Sequence, residues 1–465
     1  MNEPVTEIPE ITQLPSATDG IGNAIERGER FVREFGADLR YVRARGHWLV
    51  WDGVRWRKDD DALMRMAQEV TRILVREGNT LDDYEKGKKA IAAALKTGCK
   101  YAVQDMLFMA EPNNVVSAQP THFDADPFVV GVKNGCVDLR TGNFRPSRRE
   151  DMLTKQLGTS FDAEAACPLW EKFLHRVMGG DEQMLAYLQR CVGYTLTGDV
   201  SEQCLFFLHG KGQNGKSTFA ETVQKLLGDY MLKSSSKLYT LDRYGTEPET
   251  EIARLFGKRL VTSTETEARS ELAESRVKDL TGGDTLSGRE LYQKAFNFQP
   301  MHKLWIYGNH RPNVSGNDKG IWRRIKLIPF EVTIPDTEKD PYLMQKLEGE
   351  LPGILNWAID GCLDWQKRGL CEPEKVTNAT NDYREEEDIL ADFVSMVCLV
   401  GRDEGVDRSD LYVAYKRWKG VMPLSVRNFN KLMESRGEGI YHRRTHGVDR
   451  WYGITLKRDA DVFNT

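Results

Sequence analysis

The chain has 465 residues, of which 40% are hydrophobic and 29% are charged, and its formal net charge is -5. This length predicts two to four domains, since a domain usually contains about 100–200 residues. The composition excludes a fibre and a wholly disordered chain. No apolar run approaches the roughly 18 residues that a membrane-spanning helix needs, so we expect a soluble, cytoplasmic protein.

The eight cysteines are scattered and lack the close spacing that is typical of zinc ligands. No secretory leader is recognised before them. We therefore expect reduced core residues rather than disulfides or metal ligands.

The first part of the chain predicts a disordered tail and then a mixed α+β domain. Residues 1–24 are rich in proline and acids and cannot bury enough surface to fold. A short helix follows, and hairpins are predicted at Asp52-Gly53 and at Asn134-Gly135. Three amphipathic helices are expected between these hairpins. Two more helices, near residues 168–178 and 184–196, lead into the next region.

A glycine-rich loop stands between a buried strand at Leu205–Leu208 and a helix that continues from Phe219. It fits the pattern G-x-x-x-x-G-K-[ST], whose backbone N–H groups cradle phosphates. Lys216 would reach the β- and γ-phosphates, and the Ser217 hydroxyl would ligate Mg²⁺. A chance glycine-rich turn is the alternative. The residues predicted to bind ATP are Gly210, Lys211, Gly212, Gln213, Asn214, Gly215, Lys216, Ser217 and Thr218.

Polar residues follow two further buried strands downstream of this loop. Glu265 and Glu267 follow a strand at residues 259–263, where carboxylates would serve Mg²⁺ and an attacking water. Glu265 is the predicted carboxylate ligand of the ion. Asn309 follows the strand Lys303–Gly308, where an amide can contact the γ-phosphate or orient the water. A solvated acidic loop and a simple asparagine turn are the alternatives.

Basic residues form two further candidate sites. Turn residues at 277–284 precede a predicted hairpin at 286–298, which carries Arg289 and has Lys294 near its tip, where it can grip a phosphate backbone. Arg323 and Arg324 suit an arginine finger that completes a neighbour's site, because a planar guanidinium stabilises transferring phosphoryl charge. A surface salt bridge is the alternative.

The last part of the chain predicts helices near 342–350 and 353–368, a polar linker at 378–387, and then a small basic module. Three helices and a terminal hairpin are typical of a winged helix, with Arg427 and Lys431 on its recognition helix. From Arg402 to Arg458 there are 13 Lys and Arg against 7 Asp and Glu, a surplus of +6. A protein–protein module and a merely solvated basic surface are the alternatives.

The order of these parts resembles the superfamily-three helicases of phages, plasmids and large DNA viruses, of the phage/plasmid primase-helicase type akin to the poxvirus primase-helicase. Seven blocks carry the resemblance: residues 51–53, 134–142, 210–217, 263–267, 280–284, 308–309 and 322–324.

The resemblance implies an α/β P-loop NTPase core of the AAA+ type, with an N-terminal α+β domain and a C-terminal winged-helix-like domain. It implies a ring, usually a hexamer, that moves 3′ to 5′ on single-stranded DNA. By this likeness Lys216 and Ser217 belong to Walker A, Glu265 and Glu267 to Walker B, Asn309 is the sensor, Arg323 or Arg324 is the finger, and Lys294 lies on the pore hairpin.

The predicted segments are a tail (1–24), the α+β domain (25–165), a helical collar or linker (166–200), the ATPase (201–335), a helical lid or linker (336–385) and the winged-helix-like DNA-binding domain (386–465). No room for the family's primase domain is seen upstream, so a separate primase is the expected partner, with forked DNA as substrate.

The sequence thus predicts an ATP-dependent replicative DNA helicase of a phage or mobile element. An origin-binding initiator or loader that uses ATP mainly for assembly is the alternative. A small-molecule P-loop kinase is a third, which leaves the hairpin and the arginine pair unexplained.

Overall fold

The computed structural model describes residues 22–241, 249–264, 270–289, 295–314, 319–387, 390–401, 405–421, 423–436, 439–445 and 448–457. By its internal contacts the chain divides into an amino-terminal unit, Met1–Phe161, and a carboxyl-terminal unit, Asp162–Thr465.

The described part of the amino-terminal unit contains four helices and seven strands. In chain order they are α1 (Ala24–Phe35), β1 (Leu39–Val42), β2 (His47–Trp51), β3 (Trp56–Arg57), α2 (Asp60–Asn79), α3 (Tyr84–Thr97), α4 (Lys100–Ala110), β4 (Ser117–Ala118), β5 (Val129–Val132), β6 (Gly135–Asp138) and β7 (Asn143–Arg145).

Helices and a four-stranded sheet share one core in this unit. The strand order is β3-β2-β1-β4, and Phe31, Trp48, Leu74 and Met106 bury apolar surface between the sheet and the helices. Side-chain oxygens of Asp59 and Asp83 accept hydrogen bonds from backbone N–H groups at the starts of α2 and α3, which fixes where these helices begin.

The two predicted hairpins of this unit are present. One joins β2 to β3, and the other joins β5 to β6 within the antiparallel sheet β5-β6-β7. The turn of the second hairpin is Lys133-Asn134 rather than Asn134-Gly135, because Gly135 already pairs with Val132. A side chain at Gly135 would collide with the Arg145 carbonyl at 2.4 Å, so the glycine serves strand packing.

The described part of the carboxyl-terminal unit contains twelve helices and twelve strands. In chain order they are α5 (Pro168–Val177), α6 (Glu182–Leu196), β8 (Leu205–His209), α7 (Lys216–Leu227), β9 (Met231–Lys233), α8 (Glu249–Ala253), β10 (Leu260–Thr264), α9 (Glu274–Thr281), β11 (Leu286–Gly288), β12 (Phe296–Phe298), β13 (Lys303–Gly308), α10 (Lys319–Trp322), β14 (Ile325–Pro329), α11 (Leu343–Gly349), α12 (Leu351–Arg368), α13 (Glu374–Glu387), α14 (Ala391–Val397), β15 (Cys398–Val400), β16 (Val406–Asp407), α15 (Arg408–Lys419), α16 (Val426–Ser435), β17 (Tyr441–Thr445), β18 (Val448–Tyr452) and β19 (Ile454–Leu456).

A five-stranded parallel sheet organises this unit and gives it a mixed α/β fold. The strand order is β14-β8-β13-β10-β9, and every neighbouring pair is parallel. All six residues of β13 and the first four of β8 are buried, as expected for central strands covered on both faces. Parallel alignment brings the carboxyl ends of β8, β13 and β10 to one edge of the sheet.

Helices α6 and α12 pack unusually close together beside this sheet. A side chain on Gly193 of α6 would lie 2.1 Å from the backbone nitrogen of Cys362, and one on Gly361 of α12 would lie 2.1 Å from the Gln189 carbonyl. Both positions therefore require glycine, because any Cβ atom would separate the two helices.

The last part of this unit has three helices and two small sheets. The sheets have the orders β16-β18-β17 and β15-β19, and Phe393, Tyr415, Phe429 and Trp451 form the buried centre. Ser425 begins α16 by accepting a hydrogen bond from the Asn428 N–H group. Three helices and a terminal hairpin were expected here.

Two expectations about secondary structure are wrong. Residues 378–387 are not an irregular linker, because they lie within α13, and Thr380 and Tyr383 of that helix are buried. The Thr380 hydroxyl accepts a hydrogen bond from the Leu327 N–H group of β14 at 3.1 Å, which ties the helix to the central sheet. Residues 277–281, expected in a turn, form the second half of α9.

Six of the eight cysteines are buried, whereas Cys99 and Cys371 are exposed and are not the core residues that we expected. Within the described ranges, no helix is both long enough and apolar enough to cross a membrane.

Candidate functional site

A cavity of about 1050 Å³ opens at the carboxyl edge of the parallel sheet. The glycine-rich loop after β8 forms its floor, with the first turn of α7 and the ends of β10 and β13. Side chains of α5 and of residues 334–344 form its other walls. In open parallel sheets ligands bind at this edge, beyond the carboxyl ends of the strands.

The loop needs glycine at two positions for different physical reasons. A Cβ atom on Gly210 would lie 2.3 Å from the Phe330 carbonyl, so only glycine fits there. Gly215 has φ +81°, in the left-handed region that favours glycine, and α7 begins directly after it. The loop backbone is thereby folded tightly against the start of the helix.

Gln213 adopts φ +51°, which is uncommon for a residue with a side chain. Its carbonyl accepts a hydrogen bond from the Ile334 N–H group at 2.7 Å. The loop is therefore tied to the segment that forms the far wall of the cavity.

Lys216 is buried, with 5% of its surface exposed, and its ammonium group is held by neutral oxygens. Nζ donates to the Gly210 carbonyl at 2.7 Å, to Asn214 Oδ1 at 2.9 Å and to Asn309 Oδ1 at 3.2 Å. Asn214 in turn donates to the Phe330 carbonyl at 2.8 Å, which fixes its orientation. The structure thus brings two predicted site residues, Lys216 and Asn309, into contact across two strands.

Ser217 and Thr218 also line the cavity, as does Thr264 at the end of β10. The predicted carboxylates Glu265 and Glu267 come directly after Thr264 and lie outside the described residues, so their roles stay predictions. Lys211 is exposed on the outer side of the loop. Burial lowers the pKa of His209, and the Arg311 charge lowers it further, so this ring at the end of β8 is neutral at pH 7.

The two candidate finger residues lie at the opposite edge of the sheet from the cavity. They precede β14, whose first residue pairs with Leu205 at the amino end of β8. Arg324 is buried, and it donates to Thr281 Oγ1 at 3.1 Å and to the Gly320 carbonyl at 2.7 Å. Arg323 is exposed and donates to Gln203 Oε1 at 2.9 Å. Neither arginine lines the cavity of its own chain.

The predicted hairpin is present as β11 and β12, which pair in antiparallel fashion. Arg289 follows β11 and is exposed, whereas Lys294 lies outside the described residues. The hairpin is fixed to α8 by close packing, because a side chain on Gly288 would lie 2.6 Å from the Ala253 Cα atom.

Arg427 and Lys431 are exposed and lie one turn apart on α16, while Phe429 and Met433 bury the other face of that helix. The hairpin β17–β18 adds the exposed side chains of Arg443 and Arg444. The structure thus presents a basic surface on this helix and a second one on the hairpin.

Sequence reasoning missed the ion pair at the mouth of the cavity. Arg176 Nε of α5 lies 2.8 Å from Glu338 Oε2, and both side chains also line the cavity. The partners are separated by 162 positions, and neither belongs to a recognisable motif. No local signal in the sequence could have paired them.

The C-terminal region of NrS-1, in its apo structure, is similar over 94% of this chain and 99% of that one, with 11% sequence identity and a TM-score of 0.49. A likeness at this level carries no argument about fold or function.

Curated relatives are found among large DNA viruses. A "putative helicase" of Acanthamoeba polyphaga mimivirus is 29% identical over 322 residues, which cover 64% of this chain and 33% of the relative. A "putative helicase" of Invertebrate iridescent virus 3 is 27% identical over 63% of this chain and 35% of its own length. A "putative primase" of African swine fever virus is 24% identical over 84% of this chain and 46% of its own length. The chain therefore spans about a third to a half of the length of these relatives.

Two family profiles match the chain. The family described as "D5 N terminal like" matches residues 28–179, and a "family of unknown function" (DUF5906) matches residues 208–324, which include the glycine-rich loop and Asn309. The chain is thus similar, in its amino-terminal part, to the "D5 N terminal like" family and, over more than half of its length, to putative helicases and primases of large DNA viruses.

Proposed function

We propose that the protein is an ATP-dependent DNA helicase that acts in replication. The observation that carries this proposal is the contact between Lys216 Nζ and Asn309 Oδ1 inside a cavity floored by a glycine-rich loop. A lysine that binds phosphate and an amide that senses it must be this close if hydrolysis is to be coupled to movement of the neighbouring strand.

The residues around the cavity fit a nucleoside triphosphate. Among the described residues, Lys216 Nζ donates to three neutral oxygens, which phosphate oxygens can replace as acceptors. Gly210 and Gly215 let the loop backbone fold tightly against the start of α7, where backbone N–H groups can meet phosphates. The cavity volume of about 1050 Å³ leaves room for the base and ribose beside α5.

Mg²⁺ would neutralise phosphate charge in this site, as it does in other P-loop enzymes. Ser217 lines the cavity at the first turn of α7 and would hold the ion together with Glu265. Glu265 or Glu267 would polarise the attacking water, and Asn309 would orient it.

The positions of the two arginines support a ring assembly. Because Arg323 and Arg324 are at the sheet edge opposite the cavity, either one can act only in a neighbouring subunit's site. We assign the finger to Arg323, since it is exposed and donates to a neutral amide, that of Gln203. We assign Arg324 a structural role, because its buried guanidinium is hydrogen-bonded to both α9 and α10 and holds them together.

The finer features rest on the resemblance of the seven sequence blocks. They are an AAA+ core, a hexameric ring, 3′ to 5′ movement and a pore hairpin with Arg289 and Lys294. A winged-helix-like module is proposed from the three helices and the terminal hairpin at the end of the chain. The sheet supports the AAA+ assignment, because β13, which precedes Asn309, lies between the loop strand β8 and the strand β10 that precedes Glu265.

An origin-binding initiator is the second candidate, and one observation favours it. Arg427 and Lys431 are exposed on one face of a helix whose other face is buried, as a recognition helix requires. In that case Arg427→Ala with Lys431→Ala would abolish origin-selective binding, and the wild-type protein would not unwind DNA processively.

Strand displacement on forked DNA tests the first candidate. Lys216→Ala should abolish unwinding and ATP hydrolysis together. Lys225→Ala is the matched control, because this lysine is on the same helix but pairs with Glu348 at the surface. Unwinding that survives Lys216→Ala would refute the proposal.

The finger assignment has its own test. Arg323→Ala subunits mixed with Lys216→Ala subunits should regain part of the ATPase activity that each lacks alone. No rescue at any mixing ratio would contradict a site shared between subunits.

A further inference from the structure

The two-helix corner of the amino-terminal unit carries an unusual concentration of exposed aromatic rings. Among the described residues, five aromatic side chains are more than half exposed, and three of these lie on α3 and α4. They are Tyr84 at 76%, Tyr101 at 75% and Phe108 at 65%. Exposed rings are costly in water, so a cluster of them indicates a binding surface.

Positive charge surrounds these rings, although the protein as a whole is acidic. Residues 84–110 contain five lysines against two acids, a surplus of +3, in a chain of net charge -5. Lys86 pairs loosely with Asp83 at 3.6 Å. The other four ammonium groups make no ion pair or hydrogen bond with any described residue; they belong to Lys88, Lys89, Lys96 and Lys100.

The turn between the two helices brings rings and lysines together. Only Gly98 and Cys99 separate the end of α3 from the start of α4, so Lys96, Lys100 and Tyr101 flank a tight corner. Phe108 lies two turns beyond Tyr101 on the same outward face, about 10 Å away at 1.5 Å per residue.

The inward face of α4 explains why these rings point outward. Val103, Met106 and Ala110 are buried. On the facing helix α1, a side chain at Gly28 would lie 3.0 Å from the backbone of Met109 and Ala110. Helices α1 and α4 are therefore in close contact, and their interface has no room for the aromatic rings on the opposite face of α4.

Free lysines beside exposed aromatic rings match the chemistry of an unpaired nucleic-acid strand. Bases stack on aromatic faces only when they are not paired, and lysines neutralise the phosphates between them. Duplex DNA hides its base faces and would leave the rings uncovered. A protein partner would cover the rings, but the surplus of positive charge beside them favours a polyanion.

We propose that this corner, formed by Lys96, Lys100, Tyr101 and Phe108, binds single-stranded DNA. The rings stack on bases, and the two lysines hold phosphates. The site shares no residue with the nucleotide cavity, and it needs no ATP. It adds a strand contact in the amino-terminal unit to the proposed helicase without depending on hydrolysis.

Fluorescence anisotropy of a labelled oligo-dT strand with the full chain, in the absence of nucleotide, tests the proposal. Tyr101→Ala with Phe108→Ala should weaken binding about tenfold, because each stacked base contributes substantially. Tyr101→Phe with Phe108→Tyr should bind like the wild type, since both rings are kept. Lys96→Gln with Lys100→Gln should reduce the slope of log affinity against log salt by about 1.4, at about 0.7 per phosphate contact.

Two controls make the result decisive. Lys58→Gln with Lys133→Gln removes two exposed lysines elsewhere in the same unit and should leave the affinity within twofold. ATP hydrolysis without DNA should be unchanged in the corner variants, whereas Lys216→Ala should lose hydrolysis and keep nucleotide-free binding of oligo-dT. A failure of the proposed enzyme activity is thereby distinguished from a failure of this proposal.

Three outcomes would overturn the proposal. They are an affinity within twofold of wild type in both the alanine and the glutamine pairs, an equal loss in the ring-preserving pair, and equal weakening on a matched duplex. Unchanged affinity for DNA would assign the corner to a protein partner instead.

Discussion

Two buried lysines stand at opposite edges of the same sheet and differ in what lies beside them. Lys216, at the carboxyl edge, and Lys303, the first residue of β13 at the amino edge, are 5% and 2% exposed. Lys303 Nζ donates to the Thr197 carbonyl at 2.5 Å and lies 4.4 Å from the centre of the Tyr194 ring. Both ammonium groups are thus held mainly by neutral oxygens.

The two lysines differ in their access to the cavity. Lys216 lines a space of about 1050 Å³, whereas Lys303 does not line it and is enclosed by α6 and its own strand. Burial lowers the pKa of Lys303 well below its ordinary value, with the charge of Arg259 as a second cause. Burial and neutral partners alone therefore do not mark a functional lysine; access to a ligand does.

The largest effect is expected from removing the lysine that faces the cavity. Lys216→Ala should lower the rate of ATP hydrolysis by about 100- to 1000-fold, because a preorganised donor to developing charge is lost. Its thermal unfolding should change less than in Lys303→Met, since the side chains of Asn214 and Asn309 line the open cavity and water can reach their freed oxygens. Phosphate release measures the rate of hydrolysis, and calorimetry measures thermal unfolding. A hydrolysis rate within tenfold of wild type would contradict the functional difference between Lys216 and Lys303.

The next largest effect is expected on the stability of the fold at low pH, through His302, the neighbour of Lys303. Its ring is buried, neither ring nitrogen has a partner among the described residues, and burial lowers its pKa to about 4. The neutral ring is favoured in the fold, whereas the unfolded chain takes up a proton below about pH 6.5. Stability is therefore full above about pH 6.5 and should fall by about 3 kcal/mol as the pH drops towards 4.

Urea unfolding at pH 7.5 and pH 4.5 checks this dependence. His302→Leu should lose much of the difference between the two pH values and should cost little at pH 7.5, because both nitrogens already lack partners. His122→Gln, at an exposed histidine, is the control. The same pH dependence in His302→Leu as in wild type would exclude this histidine as the cause.

A smaller loss of stability is expected from the enclosed lysine. Lys303→Met should lower the free energy of unfolding by about 2 kcal/mol, because it leaves the buried Thr197 carbonyl without the donor that Lys303 supplies. ATP hydrolysis by the folded variant should stay within twofold of wild type. A large loss of hydrolysis in a folded variant would show instead that the two edges communicate.

The smallest effect should come from one of the oxygens that hold Lys216. Asn309→Ala should lower ATP hydrolysis about tenfold and change nucleotide affinity by less than threefold, since two of the three oxygens remain. Asn309→Asp should instead weaken affinity, because a carboxylate would hold the lysine and repel phosphate. Equal affinities for both variants, by fluorescent-nucleotide titration, would contradict a contact between Asn309 and the bound phosphates.

The features that sequence could predict are the local ones. Gly210 to Ser217 form a recognisable loop because its conformation depends on adjacent glycines, and β8 and β13 are recognisable because they are continuous apolar runs. Helix α13 was misread because its buried face is only Val376, Thr380 and Tyr383, hidden among charged residues. The sequence did offer one signal of a helix, since these three residues are four and then three positions apart, as on one helix face.

Contacts between distant positions had no such signal. The bond between Lys303 and Thr197 joins residues 106 positions apart, and that between Lys216 and Asn309 joins residues 93 apart. Only the folded sheet decides which polar group meets which, so the sequence predicted Asn309 as a site residue without giving its partner. Lys303, which lies over the Tyr194 ring, belongs to no recognisable sequence motif.

The ion pair between Arg176 and Glu338 turns the wall of the cavity into a closed loop of contacts. The glycine-rich loop is bonded through Gln213 to Ile334, and Glu338, four positions further, returns to α5 through Arg176. Both charged groups are solvated, with 42% and 47% of their surfaces exposed, and such pairs are weak. Thermal motion is therefore expected to break and re-form this ion pair at the mouth of the cavity. We expect entry of a nucleotide to be governed by its encounter with the protein, and stopped-flow association rates that are the same in wild type and Arg176→Ala would bear this out.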